Sequence, residues 1–336
     1  MKLASLGNGR PDGRLVVVSK DHKTCVSAGR IAPTLQAALD TWDVAAPQLR
    51  ALSDQLELKA VAGEPFDVEK ALAPLPRAYQ WIDCAAYLGH LERVRSLKGS
   101  RDVDLTAERP LMYQGASDNL VAGHAPIGAP EADLAIDFEA EIAAILGPVP
   151  MRPRRAEAAS AIRLLTLCND VSFRRLVNDD LNNGFGFFHS KPATSFAPIA
   201  VTPDELKSAW HAERANLRVR IEVNGKPFGD LDSGADMDFD FARLVMTAAN
   251  TRRLGSGTIL GAGTIANRHD ASAASGKKTS GYACIAEART EEKAAYGKAR
   301  TPFLNPGDTV RIEAFDAAGI SMFGAISQSV EIAARA

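Results

Sequence analysis

The sequence predicts a mainly β, α+β fold in which helices lie around the periphery of the sheets. Three observations support this class. Apolar and polar residues alternate in several stretches, most clearly in Asp133–Gly147. Residues 217–231 carry a hairpin signal, with Asn224 and Gly225 between two apolar runs. The sequence also shows no internal repeat and none of the strand–helix alternation that builds parallel α/β folds.

Composition limits the classes of function. The chain has 336 residues, of which 46% are hydrophobic and 24% are charged, both ordinary globular values. A formal net charge of −2 gives no electrostatic reason to expect nucleic acid or an anionic membrane as a partner. No apolar run approaches the roughly 20 residues that span a bilayer. The 4 cysteines form no Cys-x-x-Cys pair and indicate free thiols, so we expect a cytoplasmic protein.

Residues 1–72 are predicted to form a small N-terminal α+β domain, and residues 73–336 a larger domain. In the smaller one, Gly and Pro turns precede two predicted strands, at residues 15–19 and 23–29. One helix is expected to follow Thr34 as its N-cap, and a second to begin at Pro47. No pattern in this part indicates chemistry.

The acidic stretch Asp133–Gly147 is predicted to be a half-buried strand, because its even positions are apolar while Asp137, Glu139 and Glu141 share the other face. Neighbouring carboxylates on one strand face lie roughly 6.5–7 Å apart and repel each other. A hard cation with oxygen ligands would relieve that repulsion. An acidic face in solvent, opposite Lys or Arg on the next strand, is the alternative.

Two further positions could carry chemistry. His90 follows Asp83 by seven residues, about two turns if the segment is helical. Asp170 follows the apolar, strand-like run 164–168, and a carboxylate at a strand end is well placed to be a ligand. A single His is more often structural than catalytic, and Asp170 would serve equally well as the cap of a turn.

The rest of the chain is predicted to contain one helix and several strands. Lys191 lies in a Gly- and Phe-rich loop, where it would neutralise substrate oxygens or face solvent. Residues 238–254 predict an amphipathic helix. The glycines after it lack the spacing of a phosphate-binding loop, so nucleotide binding is rejected. Residues 282–290 predict a short strand with Glu287 near its end, and residues 305–332 a closing pair of strands.

Taken in this order, several motifs resemble those of the fumarylacetoacetate hydrolase family. They are Asp83 with His90, Asp137-Phe-Glu139-Ala-Glu141, Asn169-Asp170-Val-Ser172 followed by Lys191, then Ser256–Thr258, Cys284–Glu287 and PGDTVRIEAFDAAG. The likeness runs from about residue 72 to the C-terminus. The first 70 residues fit the small, variable N-terminal domain of that family.

The resemblance implies a homodimeric enzyme built as a mixed β-sandwich roll, with a divalent cation at its mouth. The implied metal ligands are Asp83, Glu139, Glu141 and Asp170. Oxygen ligands suit magnesium first, with calcium or manganese as alternatives. His90 would be the general base, since an imidazole ordinarily titrates near neutral pH, and Glu287 would hold His90 or its water.

Further residues match family positions near the metal or the substrate. They are Lys191, Tyr113, Arg174 and Thr258. Ser195 stands where the family usually has Thr beside the metal. The substrate remains open, because Gly99 falls where the fumarylacetoacetate hydrolases have an Arg, with only Arg93, Arg95, Lys98 and Arg101 around it. Val177 likewise falls where they have a Gln.

The implied activity is metal-dependent hydrolysis of a carbon–carbon bond in a β-diketo acid of the fumarylacetoacetate or acylpyruvate type. Such a reaction belongs to tyrosine or other aromatic-acid catabolism. Within the same family, a 2-oxo acid decarboxylase or tautomerase is the alternative. A non-catalytic β protein that binds a divalent cation is the alternative from another class, and it has no use for His90.

Overall fold

A computed structural model describes residues 1–95, 109–268 and 278–333. The strands are β1 (Lys2–Leu6), β2 (Arg14–Val18), β3 (Thr24–Ser27), β4 (Glu64–Pro65), β5 (Trp81–Cys84), β6 (Met112–Gly115), β7 (Val121–Ala122), β8 (Ile127–Ala129), β9 (Ile136–Asp137), β10 (Ala140–Leu146), β11 (Ile162–Asn169), β12 (Ser172–Phe173), β13 (Ser195–Phe196), β14 (Ala200–Val201), β15 (Trp210–His211), β16 (Arg214–Ala215), β17 (Arg218–Val223), β18 (Lys226–Asp232), β19 (Ile259–Gly261), β20 (Ser280–Gly281), β21 (Thr309–Phe315) and β22 (Ser321–Ile332). The α-helices are α1 (Leu35–Asp40), α2 (Trp42–Glu57), α3 (Leu88–Arg95), α4 (Arg155–Ser160), α5 (Val177–Asn182), α6 (Phe241–Ala248) and α7 (Ile285–Tyr296), and short 3-10 helices cover Val68–Lys70 and Pro203–Ala209. This content confirms the predicted mainly β, α+β class.

A mixed twelve-stranded sheet forms the centre of the molecule. Its main path runs β4-β3-β2-β1-β14-β11-β10-β19-β5-β6, and β13 and β7 join it beside β11. Strand β10 lies in the middle, and all seven of its residues are buried. Ile142 and Ala144 pack into one hydrophobic cluster, whereas Ala143 and Ile145 pack into a second cluster on the other face. The central strands are therefore covered on both sides.

A second sheet covers one of those faces. It has six strands in the order β20-β18-β17-β21-β22-β8. Its hairpin β17–β18 turns at Asn224 and Gly225, with φ of 52° and 70°, as the Asn-Gly signal predicts. Val219 and Ile312 from this sheet lie in the same cluster as Ile142 of β10. The two sheets thus pack face to face, which confirms the predicted sandwich.

The first strands of the chain extend the central sheet instead of forming a separate one. Strand β1, which the sequence analysis did not predict, pairs with β14 and with β2. Thr34 accepts a hydrogen bond from Ala37 N and caps α1 as predicted. Pro47 does not begin a helix, because it lies inside α2. The division at residue 72 stays a proposal.

The acidic stretch is not the single half-buried strand that its alternation predicts. Ala135 adopts a left-handed φ of 53°, and β9 ends at Asp137 before β10 begins at Ala140. Strand β9 pairs with β12, whereas β10 pairs with β11 and β19. The two hydrophobic clusters cover β10 on both faces, so the alternation of apolar and polar residues did not distinguish a core face from a solvent face. Because of this break, Asp137 and Glu141 lie on different strands that pair with different partners.

Glu287 lies in the first turn of α7, so the predicted strand at residues 282–290 is wrong. Cys284 is the N-cap, and its Sγ accepts a hydrogen bond from Glu287 N. Asp137 accepts hydrogen bonds from Ile285 N and Ala286 N at 2.7 and 2.9 Å, which satisfies two more of the first amides. The apolar run is short, and the Glu-, Lys- and Ala-rich residues after it favour helix. None of the helices in the described ranges has the length and apolar character that a bilayer crossing requires.

Candidate metal centre and its imidazole

Three carboxylates from distant parts of the chain meet on interior strands of the central sheet. Asp83 lies on β5, Glu141 on β10 and Asp170 directly after β11. One oxygen from each lies within 4.8 Å of the others, and all three residues are buried. Strand β19 passes between β5 and β10, and its Gly261 leaves room for the carboxylates. A Cβ on Gly261 would lie 2.7 Å from Asp83 Oδ1 and 3.0 Å from Glu141 Oε2.

This carboxylate cluster is not electrostatically satisfied by the protein. Asp83 Oδ1 and both carboxylate oxygens of Glu141 are buried and have no hydrogen-bond partner among the described residues, which is energetically costly for polar atoms. Burial, reinforced by the charge of Asp170, raises the pKa of Asp83 from 3.8 to about 8. Burial and the neighbouring Asp83 raise the pKa of Glu141 well above its ordinary value. A hard divalent cation with oxygen ligands fits this donor set.

Asp170 is the best anchored member of the cluster. Its Oδ1 accepts a hydrogen bond from Thr194 Oγ1 at 2.7 Å. Its Oδ2 accepts hydrogen bonds from Tyr113 OH at 2.5 Å and from Lys191 Nζ at 2.7 Å. These donors hold the carboxylate in one orientation. Burial lowers the pKa of Lys191, but the charges of Asp170 and Glu139 outweigh it and raise the pKa above its ordinary value, so Lys191 stays cationic.

Glu139 lies beside the cluster and outside the three-oxygen group. Its Oε1 accepts a hydrogen bond from Arg174 Nη2 at 2.6 Å, and its Oε2 accepts one from Lys191 Nζ at 2.7 Å. Burial alone would raise the pKa of Glu139, but Lys191 and Arg174 outweigh it and hold the pKa well below its ordinary value. Lys191 thus bridges Glu139 and Asp170. Arg174 also donates from Nε to Asp137 at 2.8 Å, which ties this side of the site to the N-terminus of α7.

An imidazole–carboxylate pair lies on two helices that pack together. His90 on α3 and Glu287 on α7 approach to 2.6 Å between Nδ1 and Oε1. Because the buried carboxylate accepts, Nδ1 is the donor, which leaves Nε2 as the basic nitrogen. Arg93, one turn after His90, approaches Glu287 Oε2 at 3.3 Å. The carboxylate is therefore held from both sides, with one oxygen facing His90.

Two residues predicted to lie near the metal or the substrate, Thr258 and Ser195, form their side-chain hydrogen bonds with groups outside the carboxylate cluster. Thr258 Oγ1 donates to the carbonyl of Gly255 at 2.8 Å, within its own turn. Ser195 Oγ donates to Gln328 Oε1 at 2.7 Å, whereas the preceding Thr194 contacts Asp170. Successive residues on a strand face opposite sides, so a shift of one position exchanges the hydroxyl that faces the cluster.

Several residues at the site were not assigned to it by sequence reasoning. Thr194 could have been found from the expected Thr beside the metal, one residue from Ser195. Arg93 was noted only as one of four basic residues. Nothing in the sequence indicated that Gly261 is required by the carboxylates. Of the positions discussed for substrate binding, Val177 begins α5, and Lys98, Gly99 and Arg101 lie outside the described residues.

Two family models match the chain. The model for "Fumarylacetoacetate (FAA) hydrolase C-terminal" matches residues 80–331, and that for "Fumarylacetoacetase N-terminal domain 2" matches residues 1–77. Together these matches cover nearly the whole sequence, including every residue of the carboxylate cluster and the His90–Glu287 pair.

Among individual proteins, the oxaloacetate tautomerase YisK of Bacillus subtilis is 26% identical over 197 residues, which span 58% of this chain and 62% of the tautomerase. A protein described as HpcE from Mycobacterium smegmatis has a structure similar to this chain (TM-score 0.69, 18% identity, 99% and 100% of the two chains covered). So does maleylpyruvate hydrolase from Sphingobium sp. SYK-6, solved with manganese(II) and pyruvate (TM-score 0.62, 16% identity, 99% and 100% covered). At these identities the structural likeness shows the fold alone.

Proposed function

Because the chain belongs to the fumarylacetoacetate hydrolase family, we propose that it is a divalent-cation-dependent enzyme that hydrolyses a carbon–carbon bond in a β-diketo acid. The substrate class is an acylpyruvate or a fumarylacetoacetate-type acid. The observation that carries the proposal is the combination of two features. In the buried carboxylate cluster, three oxygens of Asp83 and Glu141 have no hydrogen-bond partner among the described residues, and a buried carboxylate already holds the imidazole of His90. The first binds a cation, and the second transfers a proton.

We propose Asp83, Glu141 and Asp170 as ligands of the cation, because their carboxylate oxygens converge. Three of these oxygens, Asp83 Oδ1 and both of Glu141, have no hydrogen-bond partner among the described residues. Glu139 is the proposed fourth ligand, since Lys191 joins it to Asp170. Magnesium is the first candidate, with manganese and calcium as alternatives, because hard oxygen ligands serve all three ions. When bound, the cation would act as a Lewis acid that polarises the substrate carbonyl and orients neighbouring oxygens.

The proposed reaction uses the protein's own groups for proton transfer and charge stabilisation. His90 takes a proton from water through Nε2 while Glu287 holds Nδ1 and stabilises the imidazolium. Water then attacks the carbonyl, and cleavage of the adjacent carbon–carbon bond expels an enolate. Lys191, which stays cationic, would stabilise this developing negative charge, and the proton on His90 returns to the enolate carbon. The products are two acids.

A tautomerase or decarboxylase of a 2-oxo acid is the second candidate. It is favoured by the similarity to a curated oxaloacetate tautomerase, although the matched region spans 62% of that protein. The same His90–Glu287 pair could move a proton between the carbon and the oxygen of an enol. A cation-binding protein without activity is the third candidate, and the imidazole of His90, held by the buried carboxylate of Glu287, is the feature that opposes it.

Substrate assays separate these candidates. Purified protein is incubated with acylpyruvates and with oxaloacetate, with and without a chelator, while diketone absorbance, enol absorbance and released carbon dioxide are measured. Metal-dependent loss of the diketone with formation of two acids supports the hydrolase. Release of carbon dioxide, or enol–keto exchange of oxaloacetate without cleavage, contradicts it in favour of the second candidate. Chelator-sensitive melting without turnover would leave only cation binding.

The assembly and location of the enzyme are part of the same proposal. We propose a homodimer in the cytoplasm, and light scattering of the purified chain at several concentrations tests the dimer. A monomer at every concentration would contradict that part, without bearing on the carboxylate cluster.

A further inference from the structure

A second group of metal-ligating side chains lies at the imidazole and is distinct in chemistry from the carboxylate cluster. His90, Cys284 and Glu287 each place a ligand atom within 4.8 Å of the other two. They supply one nitrogen, one sulfur and one oxygen. Cys284 and Glu287 come from the first turn of α7, and His90 comes from α3. The three side chains therefore converge across a single helix–helix contact.

The sulfur of Cys284 could coordinate a metal ion in addition to its present contacts. Cys284 is fully buried, and its Sγ accepts one weak hydrogen bond, from Glu287 N at 3.5 Å. Within the described part of the chain its thiol donates to no acceptor. Glu287 keeps Oε1 on the side of His90, because Arg93 occupies the side of Oε2. The buried thiol has no acceptor in the described part of the chain and lies within 4.8 Å of an imidazole nitrogen and a carboxylate oxygen. A metal ion would satisfy this arrangement.

We propose that His90, Cys284 and Glu287 form a second metal site that takes a borderline-soft divalent cation of the zinc type, and that its occupation inhibits the enzyme. Nitrogen, sulfur and oxygen donors are the usual ligands of zinc, with water in the remaining tetrahedral position. Magnesium and calcium avoid such a set, because they require oxygen ligands. The two neighbouring groups thus select different ions through the softness of their donor atoms.

Inhibition follows because the cation would bind the Nδ1 nitrogen of His90 and change which ring nitrogen carries the proton. Binding of the cation to Cys284 Sγ and His90 Nδ1 displaces the thiol proton to solvent. The proton that Nδ1 had donated to Glu287 also leaves that nitrogen, and the neutral ring carries its single proton on Nε2. With Nδ1 bound to the cation and Nε2 protonated, His90 can no longer accept a proton from water. This inhibitory consequence rests on the proposed function, whereas binding of the ion at the second site does not.

Cobalt(II) provides a test that is independent of activity. Protein saturated with magnesium is titrated with cobalt(II), and the near-ultraviolet thiolate-to-cobalt charge-transfer band is recorded. The wild-type protein should develop the band up to one equivalent of cobalt, and zinc should displace it. Cys284→Ser should lose the band while keeping its helix, since Ser is a good N-cap. Cys25→Ser, which removes a buried thiol on β3, is the matched control and should keep it.

Zinc inhibition is measured in the same proteins with excess magnesium, relative to the zinc-free rate of each. The zinc concentration for half inhibition should rise by at least about tenfold in Cys284→Ser and stay unchanged in Cys25→Ser. No charge-transfer band in the wild type, or an undiminished band in Cys284→Ser, overturns the site. Equal zinc inhibition of all three proteins overturns the inhibitory role. If no 2-oxo acid is turned over, the proposed function fails, and the cobalt spectra still decide the site.

Discussion

The carboxylates Asp83, Glu141 and Asp170 are carried by strands of one sheet, whereas His90 and Glu287 are carried by two helices that pack against each other. Strands β5, β19, β10 and β11 are hydrogen-bonded side by side, so the carboxylates cannot separate to relieve their repulsion. The helical pair is held by a few side chains, among them Arg93 and Asp137. The sheet thus holds three buried carboxyl groups close together, and the helices position the imidazole that we propose exchanges protons.

The two groups also differ in how completely the protein satisfies them. Glu287 is buried, but it faces His90 on one side and Arg93 on the other. In the carboxylate cluster, Asp83 Oδ1 and both oxygens of Glu141 have no partner within the described ranges. The His90–Glu287 pair is therefore already preorganised by the protein, whereas the carboxylate cluster contains atoms that a bound cation would satisfy.

The largest effect is expected from neutralising the carboxylate cluster. Glu141→Gln should lower turnover at least about 10³-fold, because a Lewis acid contributes several kcal/mol and each 1.4 kcal/mol is about tenfold. The metal-free variant should melt above the metal-free wild type, because it no longer contains a carboxyl group that burial and Asp83 prevent from ionising. Calorimetry with and without magnesium measures both melting temperatures. Glu222→Gln, at an exposed position of β17, is the control. If magnesium still raised the melting temperature of Glu141→Gln, the proposal that Glu141 is a metal ligand would be contradicted.

Removing the imidazole of the His90–Glu287 pair is expected to have a smaller effect on turnover and no effect on metal binding. His90→Asn should lower the rate by about 10²–10⁴ while leaving the metal-induced rise in melting temperature unchanged. His211→Asn changes an exposed histidine of β15 and should leave both quantities at their wild-type values. If His90→Asn weakened magnesium binding as strongly as turnover, the two groups would not have separate tasks.

Arg93 is expected to act as a positioning residue for Glu287. Arg93→Met should lower turnover by about 10–100-fold and shift the acidic limb of the pH–rate profile, because Glu287 loses a partner and His90 loses its orientation. Arg93→Lys should restore part of the rate. Arg175→Met removes an exposed arginine that pairs with Asp133 and serves as the control. A slower enzyme with an unshifted pH profile would indicate only a structural role.

Gly261 tests how tightly the sheet encloses the cluster. Gly261→Ala should destabilise the protein by about 1–3 kcal/mol and lower magnesium affinity about tenfold. The added Cβ would lie 2.5 Å from the ring of Trp81, 2.7 Å from Asp83 Oδ1 and 3.0 Å from Glu141 Oε2. Gly128→Ala, where a Cβ meets nothing within 4 Å, is the matched control. Equal denaturation midpoints and equal magnesium affinities for the two variants would contradict this close packing.

The smallest effect is expected in the pH dependence of stability. Asp83 has a pKa raised from 3.8 to about 8, so its stabilising contribution is present below about pH 4 and is lost as the pH rises through about 8. Metal-free protein should lose stability over this range, and the stabilisation by magnesium should grow. Melting temperatures between pH 4 and pH 8 measure both trends. Asp83→Asn should flatten the metal-free curve, and a wild-type curve with the same slope as the variant would contradict the assignment.

Much of the fold could be read from local signals. The Asn224–Gly225 hairpin and the Thr34 cap depend on neighbouring residues, and both were predicted correctly. The strand at Glu287 was predicted wrongly, because its helix depends on the cap at Cys284 and on Asp137, 148 residues away from Ile285. Contacts at such separation leave no periodic pattern for a sequence analysis to find.

By itself the sequence determined the inventory of the site: the order and identity of the acids, the imidazole and the lysine, together with the α+β class. The tertiary structure alone decided that oxygens of Asp83, Glu141 and Asp170 come within 4.8 Å, and that Thr194 instead of Ser195 faces them. The physical reason is that residue type sets which ions and protons a side chain can bind. Which side chains meet depends on strand pairing and register, where a shift of one residue turns a side chain to the opposite face.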